Sequence, residues 1–250
     1  MSENHKKVWI TGASSGIGKA VAEKFAKEGW KVAVSARRRE ILEDMANNDK
    51  IFSYPLDVTN KDQVNSTFEK IIEDFGGLNL CIFSSGTYDP KNEKSIDVDK
   101  IKNVIDVNFM GVVNCVKSVE KNFKQKKSGQ ISIVSSIAGY RGLPNSSGYG
   151  PSKAALTNFA ESIYFDFKKF NVNVSVISPG FIKTPLTDKN EFSMPFLETP
   201  EFAAKKIYNG LIRNNSFEIH FPKPLTLLLK FFRILPYKIY LFLFDKTVKR

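Results

Sequence analysis

Apolar residues in this chain gather in short continuous runs at 8–11, 32–36, 51–55, 80–84, 131–135, 172–178 and 217–220. Val, Ile, Leu and Phe recur in these runs, which read as strands. The segments between them carry a helical repeat. Helices are expected at 19–29, 40–47, 61–75, 101–126, 149–170 and 200–209, with Ile17, Val21 and Phe25 recurring at i, i+4 around the first. Alternating strand and helix predicts an α/β fold: one Rossmann-type, doubly wound parallel sheet of about seven strands with helices on both faces. Crossovers should be right-handed, and ligands should bind at the carboxyl ends of the strands where strand order reverses.

Two local patterns then suggest chemistry. After the first run comes Thr11-Gly12-Ala13-Ser14-Ser15-Gly16-Ile17-Gly18. A strand, a glycine turn and a helix offer backbone N–H groups and a positive helix end to a pyrophosphate. The spacing here is G-x-x-x-G-x-G, not G-x-G-x-x-G. The second pattern is Tyr149-Gly150-Pro151-Ser152-Lys153, which sets a phenol and an ammonium on one helical face. A tyrosine of pKa about 10 is a poor base, and a nearby cation should draw that value toward neutrality. Ser135-Ser136 lies just upstream, at the end of an apolar run.

These segments, with Asp57-Val58, Val107-Asn108 and Pro179-Gly180 in the same order, resemble the short-chain dehydrogenases/reductases over roughly 6–220. Phe83-Ser84-Ser85-Gly86 departs from the family pattern, with serine in place of asparagine. The resemblance implies a hydroxyl/carbonyl oxidoreductase. In that reading Tyr149 exchanges a proton with the substrate oxygen, Ser136 hydrogen-bonds that oxygen, and Lys153 lowers the phenol's pKa and holds the nicotinamide ribose. Asn108 positions a water linking Lys153 to solvent, or is a polar residue kinking a helix. Cofactor contacts are expected from Gly12, Ser14, Ser15, Gly16, Ile17, Gly18, Asp57, Val58, Gly86, Tyr149, Lys153, Pro179, Gly180, Ile182 and Thr184. Asp57 belongs at the adenine edge, or is a helix-capping or turn aspartate. The Ile182 backbone and Thr184 hydroxyl belong at the carboxamide.

The second strand ends Ser35-Ala36-Arg37-Arg38-Arg39. By resemblance, Ala36 stands where NAD-preferring relatives carry an acid. A carboxylate there repels a 2′-phosphate, whereas the Arg37 fork attracts one. NADP(H) is therefore expected in preference to NAD(H), with Lys19 and Ser14 adding to the phosphate site. The alternative is that Arg37 to Arg39 form a solvated turn.

The chain has 250 residues, 42% of them apolar, which suits one catalytic domain at 1–220 followed by an extension at 221–250 that is not an independent domain. Cys81 and Cys115, the two cysteines, are expected as buried thiols of a reducing compartment. No metal-ligand spacing is visible, and His5 and His220 read as ordinary surface or strand residues. The stretch 1–7 lacks an apolar signal region, so a cytoplasmic protein is expected.

Charge is uneven. Within 221–250, seven cations against the single Asp245 give +6, more than half of the chain's +11. That stretch is also very apolar, but Lys230, Arg233, Pro236 and Lys238 interrupt any transmembrane span. Lys223, Lys230 and Arg233 fall near one helical face, opposite leucines and phenylalanines. This suits an interfacial helix on an anionic inner membrane face. Alternatively the stretch packs over the pocket or across a subunit interface. A nucleic-acid role is excluded by its greasiness and the absence of a recognition fold. The segment 186–199, with Phe192, Met194, Phe196 and Leu197, should form a lid, and Tyr88 a further apolar wall, for a lipophilic carbonyl or alcohol; alternatively these groups close a satellite core. By resemblance, helices 101–126 and 149–170 pair across a homodimer or tetramer. A non-catalytic nucleotide-binding regulator, or a membrane-associated scaffold, is the competing class of function.

Overall fold

The structure, a computed structural model, describes residues 6–90 and 95–248, with side chains through 245; His5, Lys249 and Arg250 lie outside them. Strands β1 (Lys7–Thr11), β2 (Lys31–Ser35), β3 (Ile51–Ser53), β4 (Leu80–Phe83), β5 (Gly129–Val134), β6 (Val172–Pro179) and β7 (Glu218–Phe221) form one parallel sheet in the order β3-β2-β1-β4-β5-β6-β7. Strand order reverses between β1 and β4, where Val8 pairs with Val32 on one side and Leu80 on the other. The carboxyl end of that gap is where a ligand crevice belongs.

Side chains alternate across each strand, and the alternation builds two cores. Val8, Ile10, Val32, Val34, Leu80 and Ile82 pack under α1 (Gly16–Lys27), α2 (Arg39–Met45) and α7 (Pro200–Tyr208). Trp9, Ala33, Cys81, Phe83, Ile131 and Ile133 pack under α3 (Lys61–Phe75), α5 (Gly111–Lys126) and α6 (Tyr149–Lys168). Because both faces are covered, most of the strands appear in sequence as largely apolar runs. The buried Trp9 indole donates to Ser35 Oγ at 2.9 Å, so its N–H carries no desolvation penalty.

The single helix expected at 101–126 is instead two. α4 (Val98–Ile105) passes through a π-helical turn at Asp106–Met110 into α5. The extra residue in that turn carries Asn108 inward. There its side chain accepts from Thr87 N at 2.7 Å and donates to Thr87 O and Ser152 Oγ, each at 3.0 Å.

The extension forms α8 (Lys223–Ile234) and α9 (Tyr237–Val248), both folded back on the body. Leu225 and Leu229 pack on Ile137, Tyr140 and Phe181. Arg141 donates to the carbonyls of Phe232, Arg233 and Leu235 at 2.6, 3.1 and 2.7 Å, neutralising the C-terminal end of α8. Its guanidinium also lies 4.7 and 4.1 Å from the ring centroids of Tyr237 and Tyr240. The Tyr240 hydroxyl donates to Gly142 O.

Lys230 departs from the outer polar face assigned to it. It turns inward to pair with Glu218 of β7, which also accepts from Tyr140 Oη at 2.6 Å. Burial alone would raise the Glu218 carboxyl, but the bonds from Lys230 and Tyr140 outweigh it and hold the carboxyl low. Replacing Arg141 with alanine removes a charged three-carbonyl cap, so it should cost about 2 kcal/mol. A thermal melt should then fall by about 4–8 °C.

Candidate active site

A cleft of about 400 Å³ opens at the carboxyl edge between β1 and β4. Its floor is the 12–18 turn. Gly12 has φ +68°, and a Cβ on it would lie 2.6 Å from Ser84 O; a Cβ on Gly18 would lie 2.3 Å from Gly12 O. Glycine is therefore required at both positions by space, and at Gly12 by backbone angle as well. The turn delivers the N-terminus of α1 to the cleft, with Ser14, Ser15, Gly16 and Ile17 along its wall. Such a cradle of backbone N–H groups, closed to side chains, fits a pyrophosphate.

Apart from Lys19, the cofactor positions expected from the sequence line this cleft: Gly12, Ser14 to Gly18, Arg37, Asp57, Val58, Gly86, Tyr149, Lys153, Pro179, Gly180, Ile182 and Thr184. Ser136 joins them. Asn108 does not, being wholly buried behind the wall. A Cβ on Gly86 would lie 3.5 Å from Asn108 Oδ1 and 3.7 Å from Lys153 Nζ, so the chain passes close to both.

At the end of β2 the sequence reading missed Arg38. Its guanidinium donates to Ser14 Oγ at 2.8 Å and Ser15 Oγ at 2.7 Å, bridging the strand end to the glycine turn. Arg37 lines the same corner. The run of three arginines was the available signal, but it does not say which of them turns inward. Lys19, expected at the phosphate site, lies outside the cleft and faces Glu23 at 3.9 Å, one helical turn along α1. Asp57 Oδ1 accepts from Thr59 N and Thr59 Oγ1, closing a turn; the helix cap of α3 is Asn60.

Opposite lie Ser136, Tyr149 and Lys153. Ser136 lies just past β5 and caps the 3-10 turn Ile137–Gly139, accepting from Ala138 N at 3.1 Å, and its hydroxyl is hydrogen-bonded to Tyr149. The neighbouring Ser135 points away, donating to Lys153 O at 2.7 Å. Lys153 Nζ donates to Val134 O at 2.9 Å and sits 5.6 Å from the Tyr149 ring centroid. Burial pushes the Tyr149 phenol up to about 12; the Ser136 bond opposes this and Tyr88 adds to it. Burial also brings the Lys153 ammonium down to about 8. The expected drift of the phenol toward neutrality is thus absent from this arrangement. Desolvation disfavours both charged forms, and the ammonium is directed at a carbonyl.

The lid also departs from expectation. Leu186, Thr187 and Lys189 line the cleft, but Phe192, Phe196 and Leu197 are exposed, with Phe192 edge-on to Phe181 at 5.9 Å. Tyr88 packs against Tyr149 with ring centroids 4.8 Å apart and planes tilted by 49°. Among the described residues no group of His, Cys, Asp and Glu could hold a metal ion, and no helix is long and apolar enough to cross a membrane. His220, on β7, pairs with Thr226 Oγ1 and Lys223 Nζ.

The chain is similar to known proteins throughout. Residues 6–193 match the short chain dehydrogenase family. An uncharacterized oxidoreductase of Myxococcus xanthus is 32% identical over 252 residues, covering 99% of this chain and 98% of that protein. The solved structure of ElxO with NADP bound has a TM-score of 0.77 at 29% identity, over 86% of this chain and 97% of that one. A short-chain dehydrogenase from Streptomyces avermitilis shares the fold alone, with a TM-score of 0.83 at 20% identity over 98% of each chain. The family match over most of the length, and a relative aligned from end to end, place this chain among the short-chain dehydrogenases/reductases as an oxidoreductase.

Proposed function

We propose that this oxidoreductase uses NADP(H) to interconvert a lipophilic ketone or aldehyde and its alcohol, running as a reductase when NADPH supplies the electrons. The carrying observation is one cleft with Ser136, Tyr149 and Lys153 on one wall, and Arg37 and Arg38 beside Ala36 in the opposite corner. The glycine cradle would take the pyrophosphate, the two guanidinium forks the 2′-phosphate, and Asp57 the adenine edge.

When bound, the cofactor supplies the hydride that reduces the carbonyl carbon. The chain's own groups handle the oxygen. Ser136 donates a hydrogen bond to it as negative charge develops. Tyr149, whose phenol burial keeps protonated, gives its proton to the same oxygen. Lys153 would hold the ribose through protons not used on Val134 O. The lipophilic substrate class is supported by the Tyr88 ring against Tyr149 and by Leu186 at the cleft wall.

The double variant Arg37→Ala/Arg38→Ala should raise KM for NADPH by about 100-fold, since each charged phosphate contact is worth about 1.5–3 kcal/mol. KM for NADH should change little; an equal rise for both would argue against a phosphate site. The pH profile of kcat/KM for NADPH should fall as pH rises through about 8, where Lys153 discharges. A panel of ketones graded by chain length, assayed with NADPH, tests the substrate class: rates should rise with apolar length, and a preference for small sugars or amino acids would defeat it.

A further inference from the structure

The folded-back extension covers the body with one face and leaves the other bare. Along α8, Leu227, Leu228, Phe231 and Ile234 recur at i, i+1, i+4 and i+7, one stripe of the helix, and are 56, 48, 54 and 76% exposed. The inward stripe is different: Leu225, Thr226 and Leu229 pack on the body. On α9, Tyr237, Ile239, Leu241, Phe242 and Leu243 are all exposed, and among its described side chains Tyr240 alone is buried. So many exposed large apolar side chains on two adjacent helices mark an interaction site.

Lys223, Arg233 and Lys238 are exposed on the same two helices, and Asp245 is the one acid of 221–250. We propose that α8 and α9 together dock this enzyme in the interface of an anionic lipid membrane, lying flat with the leucines and phenylalanines in the acyl boundary and the cations at the headgroups. Neither helix is long enough to span, so the binding is peripheral.

Charge selects lipid over a second copy of the chain. Two copies seated face to face would bring two basic faces together, whereas an anionic headgroup layer complements them. The inward turn of Lys230 supports the same assignment. With that cation held by Glu218, the exposed α8 stripe keeps its apolar character, and the pairing fixes the helix to the sheet. The surface also adjoins the cleft. Leu225 and Leu229 share one apolar cluster with Phe181, which follows the cleft-lining Gly180 and meets Phe192 of the 186–199 segment.

The test is co-sedimentation of the full chain with vesicles of phosphatidylcholine alone and of phosphatidylcholine mixed with phosphatidylglycerol. The chain should pellet with the mixed vesicles and bind the neutral ones about tenfold less, the difference vanishing in high salt. Leu228→Glu/Phe231→Glu/Leu241→Glu should lose vesicle binding by about tenfold or more. It should keep the wild-type melting temperature and NADPH binding, because all three side chains face outward. Arg233→Gln/Lys238→Gln provides a second variant that leaves the apolar stripe intact; it should lose the preference for anionic vesicles. Failure of the wild-type chain to pellet with either vesicle overturns the proposal, as does pelleting unchanged in both variants. Light scattering that shows a dimer split by the triple variant, with vesicles ignored, assigns the face to a second copy instead.

Discussion

Tyr149→Phe should lower kcat for NADPH-dependent carbonyl reduction by about 10³-fold, the scale of a lost general acid. The substitution removes one oxygen and little else. The ring that packs against Tyr88 at 4.8 Å remains, as does the helix that carries it. What disappears is the hydroxyl bonded to Ser136, the proposed proton source for a developing alkoxide. NADPH affinity and the melting temperature should therefore stay near wild type, and a fluorescence titration and a thermal scan check both. Ser136→Ala should fall by a smaller factor of about 10², because it withdraws a charge-stabilising hydrogen bond and leaves the proton source in place.

Gly18→Ala should be nearly as damaging, and by a different route. The added methyl would stand 2.3 Å from Gly12 O, 2.8 Å from Gly12 C and 3.2 Å from Ala13 Cα. All three atoms are backbone, so no side chain can swing aside and the turn itself must open. Overpacking of this kind costs about 1–3 kcal/mol. The displaced amides are those that face the cleft, so NADPH affinity should drop by about 100-fold, measured by fluorescence titration. Gly142→Ala provides the control. Nothing lies within 4 Å of its Cβ position, and both binding and melting temperature should be unchanged.

The sheet was legible in the sequence for a physical reason. Strands covered on both faces must be apolar throughout, so their positions show as runs, and their carboxyl ends could be found from where the runs stop. Gly12, Gly86 and Ser136 fall at those ends, and the structure gathers them with Tyr149 and Lys153 of α6 into one cleft. Features that depend on tertiary partners were not legible. The π-helical turn exists because Asn108 finds Thr87 and Ser152, and no local pattern announces those partners. Lys19 and Arg38 have similar claims to a phosphate from spacing alone; side-chain direction separates them, with Arg38 turned to Ser14 and Lys19 to Glu23. Lys230 appeared to be an outer cation because its partner Glu218 lies on β7, outside the helix. The Tyr149–Lys153 spacing revealed proximity but not burial, and burial governs the ionisation of both groups.

The most direct measurement is a single turnover. NADPH is bound first, a ketone is mixed in, and loss of NADPH absorbance is followed for the wild-type chain beside Tyr149→Phe. Wild type should oxidise its bound NADPH in one burst, and the variant, equally loaded, should do so about 10³-fold more slowly. Equal bursts would contradict a role for the Tyr149 hydroxyl in the hydride-transfer step.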